Sequence, residues 1–220
     1  MKKNEKDFLL FAMRIMKRKE WIKSIIFYTV FLFPSIFAGK ISIIAILSCV
    51  GVLLLYAIGV HRLFDGNGII KGHNIFLCYA IDAICLTCTF LIPGFRIQLL
   101  ITPEKYKWLV IILILLGVIV LIGIYALIVK QLTQKGAYSK VKTVQRNISF
   151  AFFGVLGMVF ARFFLNSVQL TGQAIIQIVV ILLFVLSGLS LLGVINLYKY
   201  YAIKSNKELL KEIDIMLKKT

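Results

Sequence analysis

Long apolar runs recur along the chain at 22–38, 41–60, 75–93, 104–130, 148–165 and 174–198, and shorter polar segments separate them. Each run is long enough for a helix to cross a hydrocarbon core of about 30 Å. The punctuation supports that reading. Gly39-Lys40 is a very tight turn, and Asp65-Gly66-Asn67-Gly68 marks a turn in the polar loop 61–73. Pro93-Gly94 predicts a helix stop, followed by a half-apolar loop over 95–102. Thr102-Pro103-Glu104 then has the form of a helix start: a cap, a proline at the first position and an acid in the first turn. A short uncharged turn over 166–173 precedes the last run.

The two ends follow a different pattern. Phe8, Phe11, Ala12 and Ile15 share a helical face, with Lys6, Arg14, Lys17 and Arg18 supplying positive charge. Residues 1–20 therefore predict an amphipathic helix on the cytoplasmic lipid surface. In the tail, 202–220, Leu209, Leu210, Ile213, Met216 and Leu217 oppose Lys207, Lys211 and Glu212, and Ser205 opens a capping box ending at Glu208. Such a helix lies on the membrane, folds back on the bundle or binds a partner helix. The expected fold class is all-α: a polytopic six-transmembrane-helix bundle over 21–201, with an amphipathic cytoplasmic helix at each terminus.

Composition agrees. The 220 residues are 60% hydrophobic and only 16% charged, too little polar surface for a soluble domain. The net charge of +17 would suggest nucleic acid, but its distribution points to lipid. Of the 26 Lys and Arg, 21 fall on the side of the two termini, four on the other side, and Arg162 falls inside a run. The positive-inside rule puts both termini in the cytoplasm and makes the excess a collar facing anionic inner-leaflet lipids. The apolar run 8–13 is ended by Arg14 and is too short for a secretory leader. Abundant Ile, Lys and Phe suits an AT-rich bacterial genome, hence a bacterial plasma membrane.

Candidate chemistry centres on the run 74–93, NIFLCYAIDAICLTCTFLIP. Cys78, Asp82, Cys85 and Thr89 fall at steps of four, three and four and line one helical face. An ionisable group inside a span costs about 2.5–3.5 kcal/mol on insertion scales and marks a candidate functional site. Asp82 lies about 12 Å and Arg162 about 22 Å from the inner edge at the helical rise. Three readings follow. The two form an ion pair fixing helix register, Arg162 snorkels outward and leaves Asp82 protonated, or both line a polar cavity for a solute or proton. Gly154, Gly157 and Ala161 form a small-residue stripe for close helix packing, and Ser187, Ser190 and Gly193 are further small positions in the last span. Cys85 and Cys88 make a C-x-x-C in the middle of a span, where nothing lowers a thiol pKa. With Cys49 and Cys78 they read as buried free thiols.

The stretch GHNIFLCYA, with His73 five positions before Cys78, loosely resembles membrane cysteine peptidases that process quorum-sensing propeptides. That resemblance implies a cytoplasmic-edge His73–Cys78 pair. By architecture the chain resembles small six-helix permease subunits of peptide or antibiotic exporters, and immunity proteins against membrane-active peptides. These imply a non-enzymatic component acting through a polar cleft, with a partner membrane subunit or ATPase. No Walker A, H-E-x-x-H or G-x-S-x-G motif and no metal-ligand cluster is present in the sequence, so no cofactor or metal is expected.

Overall fold

The computed structural model describes residues 3–10, 18–37, 42–64, 68, 70, 72–135 and 172–218. The expected span 148–165, and with it Arg162, Gly154, Gly157 and Ala161, lies outside the described residues, as does Gly39-Lys40. Among the described residues the protein is all-helical; the only extended pairing is an isolated bridge between Phe64 and Ile70.

Among the described residues, five helices are long and apolar enough to cross a membrane. They are α2 (Arg18–Phe37), α3 (Ile43–His61), α4 (Asn74–Ile101), α5 (Lys107–Gln134, entered through a 3-10 turn at Glu104–Tyr106) and α6 (Gly172–Leu191). The last continues through a 3-10 turn, Leu192–Val194, into α7 (Ile195–Lys204). Two short helices complete the set: α1 (Lys3–Leu10) and α8 (Lys207–Lys218).

The helix carrying Asp82 is central. α4 packs against α2, α3, α6 and α7, most extensively against α6. Side-chain neighbours fix the directions. Tyr28 on α2 meets Asp82, whereas Phe31 further along α2 meets Phe90, so α2 runs parallel to α4. Gly94 faces Leu183 while Ala83 faces Gly193, so α6 and α7 run antiparallel to α4. Val129, near the end of α5, joins Phe76 near the start of α4, so α5 is antiparallel as well.

Pro93-Gly94 does not stop the helix. α4 continues to Ile101, through the segment expected to be a loop. Proline removes one backbone hydrogen bond, but packed neighbours make such a loss tolerable in membrane helices. Pro93 and Gly94 are both buried, and a Cβ added at Gly94 would stand 3.2 Å from Leu183 Cβ on α6. Close packing here outweighs a local breaker signal. The cap of α8 also differs by one residue. Asn206 Oδ1 accepts from the Glu208 and Leu209 N–H groups, while the Ser205 hydroxyl donates to the Tyr201 carbonyl of the preceding helix. The Ser205 hydroxyl is taken up by the end of α7, and the Asn206 amide oxygen serves as the N-cap of α8.

At one end, α1 and α8 close over the bundle together. Phe8 and Leu9 of α1 and Leu209 and Ile213 of α8 are buried in one cluster with Phe76, Val129 and Ile203. Of the three dispositions open to the tail, the described helix folds back on the bundle. At the same end, the polar loop after α3 holds the entry to α2. The Arg18 N–H donates to the Gly68 carbonyl, and Gly68 takes φ of +72°, a left-handed conformation suited to glycine. Trp21 packs beside His61 and Phe64.

Candidate functional site

The stripe on α4 faces α2 and α3, and its members do different things. The Thr89 hydroxyl donates to the Cys85 carbonyl one turn back, and Thr87 does the same to Ala83. These hydroxyls are satisfied within their own helix. Cys85 points its thiol at the Val52 carbonyl of α3, at 3.7 Å. Cys78 is fully buried in the apolar core formed with Tyr28, Leu32, Val52 and Tyr56. Cys49, Cys78 and Cys85 are buried, and Cys88 is partly exposed.

Asp82 is the member whose side chain bonds to a side chain of another helix. The Tyr28 hydroxyl donates to Asp82 Oδ1 at 2.5 Å and also lies 3.2 Å from the Asp82 backbone carbonyl. That is the length of a charge-assisted or strongly polarised hydrogen bond. Tyr28 is held by its own packing, with its ring edge-on to Tyr56 at 4.9 Å between centroids. The Tyr56 hydroxyl approaches both Asp82 and Ser24 but forms no aligned hydrogen bond to either, although Tyr56 has no exposed surface. Three helices therefore contribute to one polar cluster inside an apolar bundle: Ser24 and Tyr28 from α2, Tyr56 from α3, and Asp82 from α4. Among the described residues, no Lys, Arg or His forms an ion pair with Asp82.

Behind Asp82, α4 touches the junction of α6 and α7. A Cβ built on Gly193 would sit 2.6 Å from Ala83 Cβ, so only glycine permits this approach. Ser187 is buried on the same side, and the Ser190 hydroxyl bonds back to Leu186 within α6. The junction thus sets the position of the helix turn that carries Asp82.

Other predicted residues are not brought together. His73 precedes the first residue of α4 with helical φ and ψ, −64° and −16°, so the helical offset to Cys78 holds and their side chains diverge by about 140°. His73 stacks on Tyr200 of α7 at 5.2 Å, away from the core that contains Cys78. Among the described residues, no group of three or more His, Cys, Asp or Glu could hold a metal. One apolar crevice of about 290 Å³ follows α5, α6 and α7, another of about 160 Å³ lies between α4, α5 and α6, and Asp82 lines neither.

Sequence reasoning passed over two features. Tyr28 and Tyr56 sit in apolar runs, where a phenolic hydroxyl needs a partner; that need was the available signal. Lys199 lies just past the last apolar run, where the sequence alone shows no partner for it. It is 4% exposed, and its Nζ lies 4.8 Å from the Phe8 ring centroid and 5.7 Å from that of Phe76. It joins α1, α4 and α7 at the end where the termini meet.

Comparison with protein-family models, curated proteins and solved structures finds no match for this chain.

Proposed function

We propose that this protein is a six-span component of a bacterial plasma membrane, with both termini cytoplasmic, acting in small-permease-type transport or in immunity against a membrane-active peptide. In this reading it works without catalysis, through the polar cluster around Asp82, and its basic collar meets anionic inner-leaflet lipid. A partner membrane subunit or ATPase would supply any energy.

The single observation that carries the site is the Tyr28–Asp82 hydrogen bond inside the bundle, on a carboxyl with no ion pair among the described residues. Such a group is expensive in a membrane and is retained where it is used. The span count has its own support. α5 ends beside the start of α4, whereas α6 begins at the opposite end and runs back. The chain between Lys135 and Gly172 must get from one end to the other, and by its sequence the apolar stretch 148–165 is long enough for such a crossing. The peptidase resemblance gains no observation in its favour.

The test is expression in a sensitive host, challenged with a panel of membrane-active peptides and scored for survival and for peptide accumulation. Wild type should protect or alter accumulation relative to empty vector. Asp82→Asn and Arg162→Ala should each reduce that effect. Full activity of both variants would overturn the site, and no effect of wild type on any peptide would overturn the class.

A further inference from the structure

The cluster on α2, α3 and α4 contains an unbalanced hydroxyl. Tyr28 supplies its proton to Asp82 Oδ1. Tyr56, wholly buried, has its hydroxyl near the same carboxyl with no aligned partner among the described residues. A phenolic oxygen can accept as well as donate. A buried polar group without a partner costs about 1–3 kcal/mol, so its position beside a carboxyl calls for an explanation. The groups facing Asp82 include no described cation: Ser24 and Tyr28 come from α2, Tyr56 from α3, and the Cys78 and Cys85 thiols from α4 itself. The α6–α7 junction brings Gly193 against neighbouring Ala83.

We propose that Asp82 is a proton-binding site: the carboxyl takes up one proton on the oxygen not bonded to Tyr28, and that proton is donated to the Tyr56 hydroxyl oxygen. Uptake cancels one negative charge in the bundle and gives the Tyr56 oxygen a donor; release restores the carboxylate and leaves Tyr28 donating to it. A neutral carboxyl flanked by two tyrosines needs no basic side chain, which suits its surroundings. The inference rests on the Asp82 site proposed above and names its ligand as the proton.

Infrared spectroscopy on the full-length protein, reconstituted in lipid, reads the site directly. Isotope-labelled aspartate marks only Asp7, Asp65, Asp82 and Asp214. Near neutral pH, wild type should show a protonated-carboxyl C=O band that moves with the aspartate label. The band should fall to baseline in Asp82→Asn and change frequency in Tyr56→Phe, which removes the acceptor. If Asp82→Asn does not fold, Asp82→Glu takes its place, because its carboxyl leaves the labelled pool and the band should lose its isotope shift. Aspartate signals confined to carboxylate bands, or a carboxyl band untouched by Tyr56→Phe, would overturn the proposal. This readout does not depend on the survival assay. A missing band with an inactive Asp82→Asn protein sinks the proton alone, and a band with a fully active Asp82→Asn protein sinks the functional reading alone.

Discussion

Gly193→Ala tests whether the contact of α4 with the α6–α7 turn behind Asp82 is as close as it stands. The added methyl carbon would lie 2.6 Å from Ala83 Cβ, against about 3.5–4.0 Å for an unstrained carbon contact. The nearest atom is another Cβ fixed to its backbone, so no side chain can rotate away. The helices must separate by about 1 Å or distort, and overpacking of this kind costs about 1–3 kcal/mol. Thermal and denaturant unfolding in one detergent, followed by circular dichroism, would measure the loss. Ala83→Gly removes the atom that clashes. Alone it should destabilise slightly through helix propensity, by up to about 1 kcal/mol. Combined with Gly193→Ala it should recover most of the loss, giving a non-additive cycle. If Gly193→Ala were as stable as wild type, or the double variant merely summed the two losses, the contact would not have the closeness described.

Other predictions bear on the rest of the structure. Tyr28→Phe deletes the donor to Asp82 and should cost about 1.5–3 kcal/mol in the same unfolding assay, with most of that penalty absent in an Asp82→Ala background. Lys199→Met should weaken the closure of α1 over the bundle by about 0.5–2 kcal/mol, and its coupling to Phe8→Leu should exceed its coupling to a substitution at Tyr106. A membrane-impermeant maleimide should leave Cys49, Cys78, Cys85 and Cys88 unlabelled in intact cells and label all four after denaturation. Cysteines placed singly at Lys105 and Lys207, in a background lacking the native thiols, should react from opposite faces of the membrane; reaction from the same face would contradict the helix directions.

Much of the architecture was legible because apolar runs of this length have one use. The starts of α4 and α5 and the all-helical class follow from periodicity and caps. The errors have a common cause. Pro93 is a breaker in water, but in α4 it is buried and its neighbour Gly94 admits Leu183, so packing carries the helix eight residues further. Lys199 has the sequence context of a solvated tail, yet Phe8, remote in the chain, closes over it. The stripe on α4 was visible as spacing, but spacing could not say that Thr89 and Cys85 bond to nearby carbonyls and that Asp82 alone reaches a tyrosine. Partners from other helices have no signature in the sequence of α4.

The proposed role of Asp82 is tested most directly by one comparison: the activity of Asp82→Asn relative to wild type, at equal expression and with folding verified by its unfolding midpoint. Asparagine keeps the shape and an oxygen that can accept from Tyr28, but it has neither the charge nor an exchangeable carboxyl proton. If Asp82 has the proposed role, the variant is folded and membrane-inserted but loses the protection or altered accumulation that wild type confers. A folded Asp82→Asn protein with wild-type activity would contradict it.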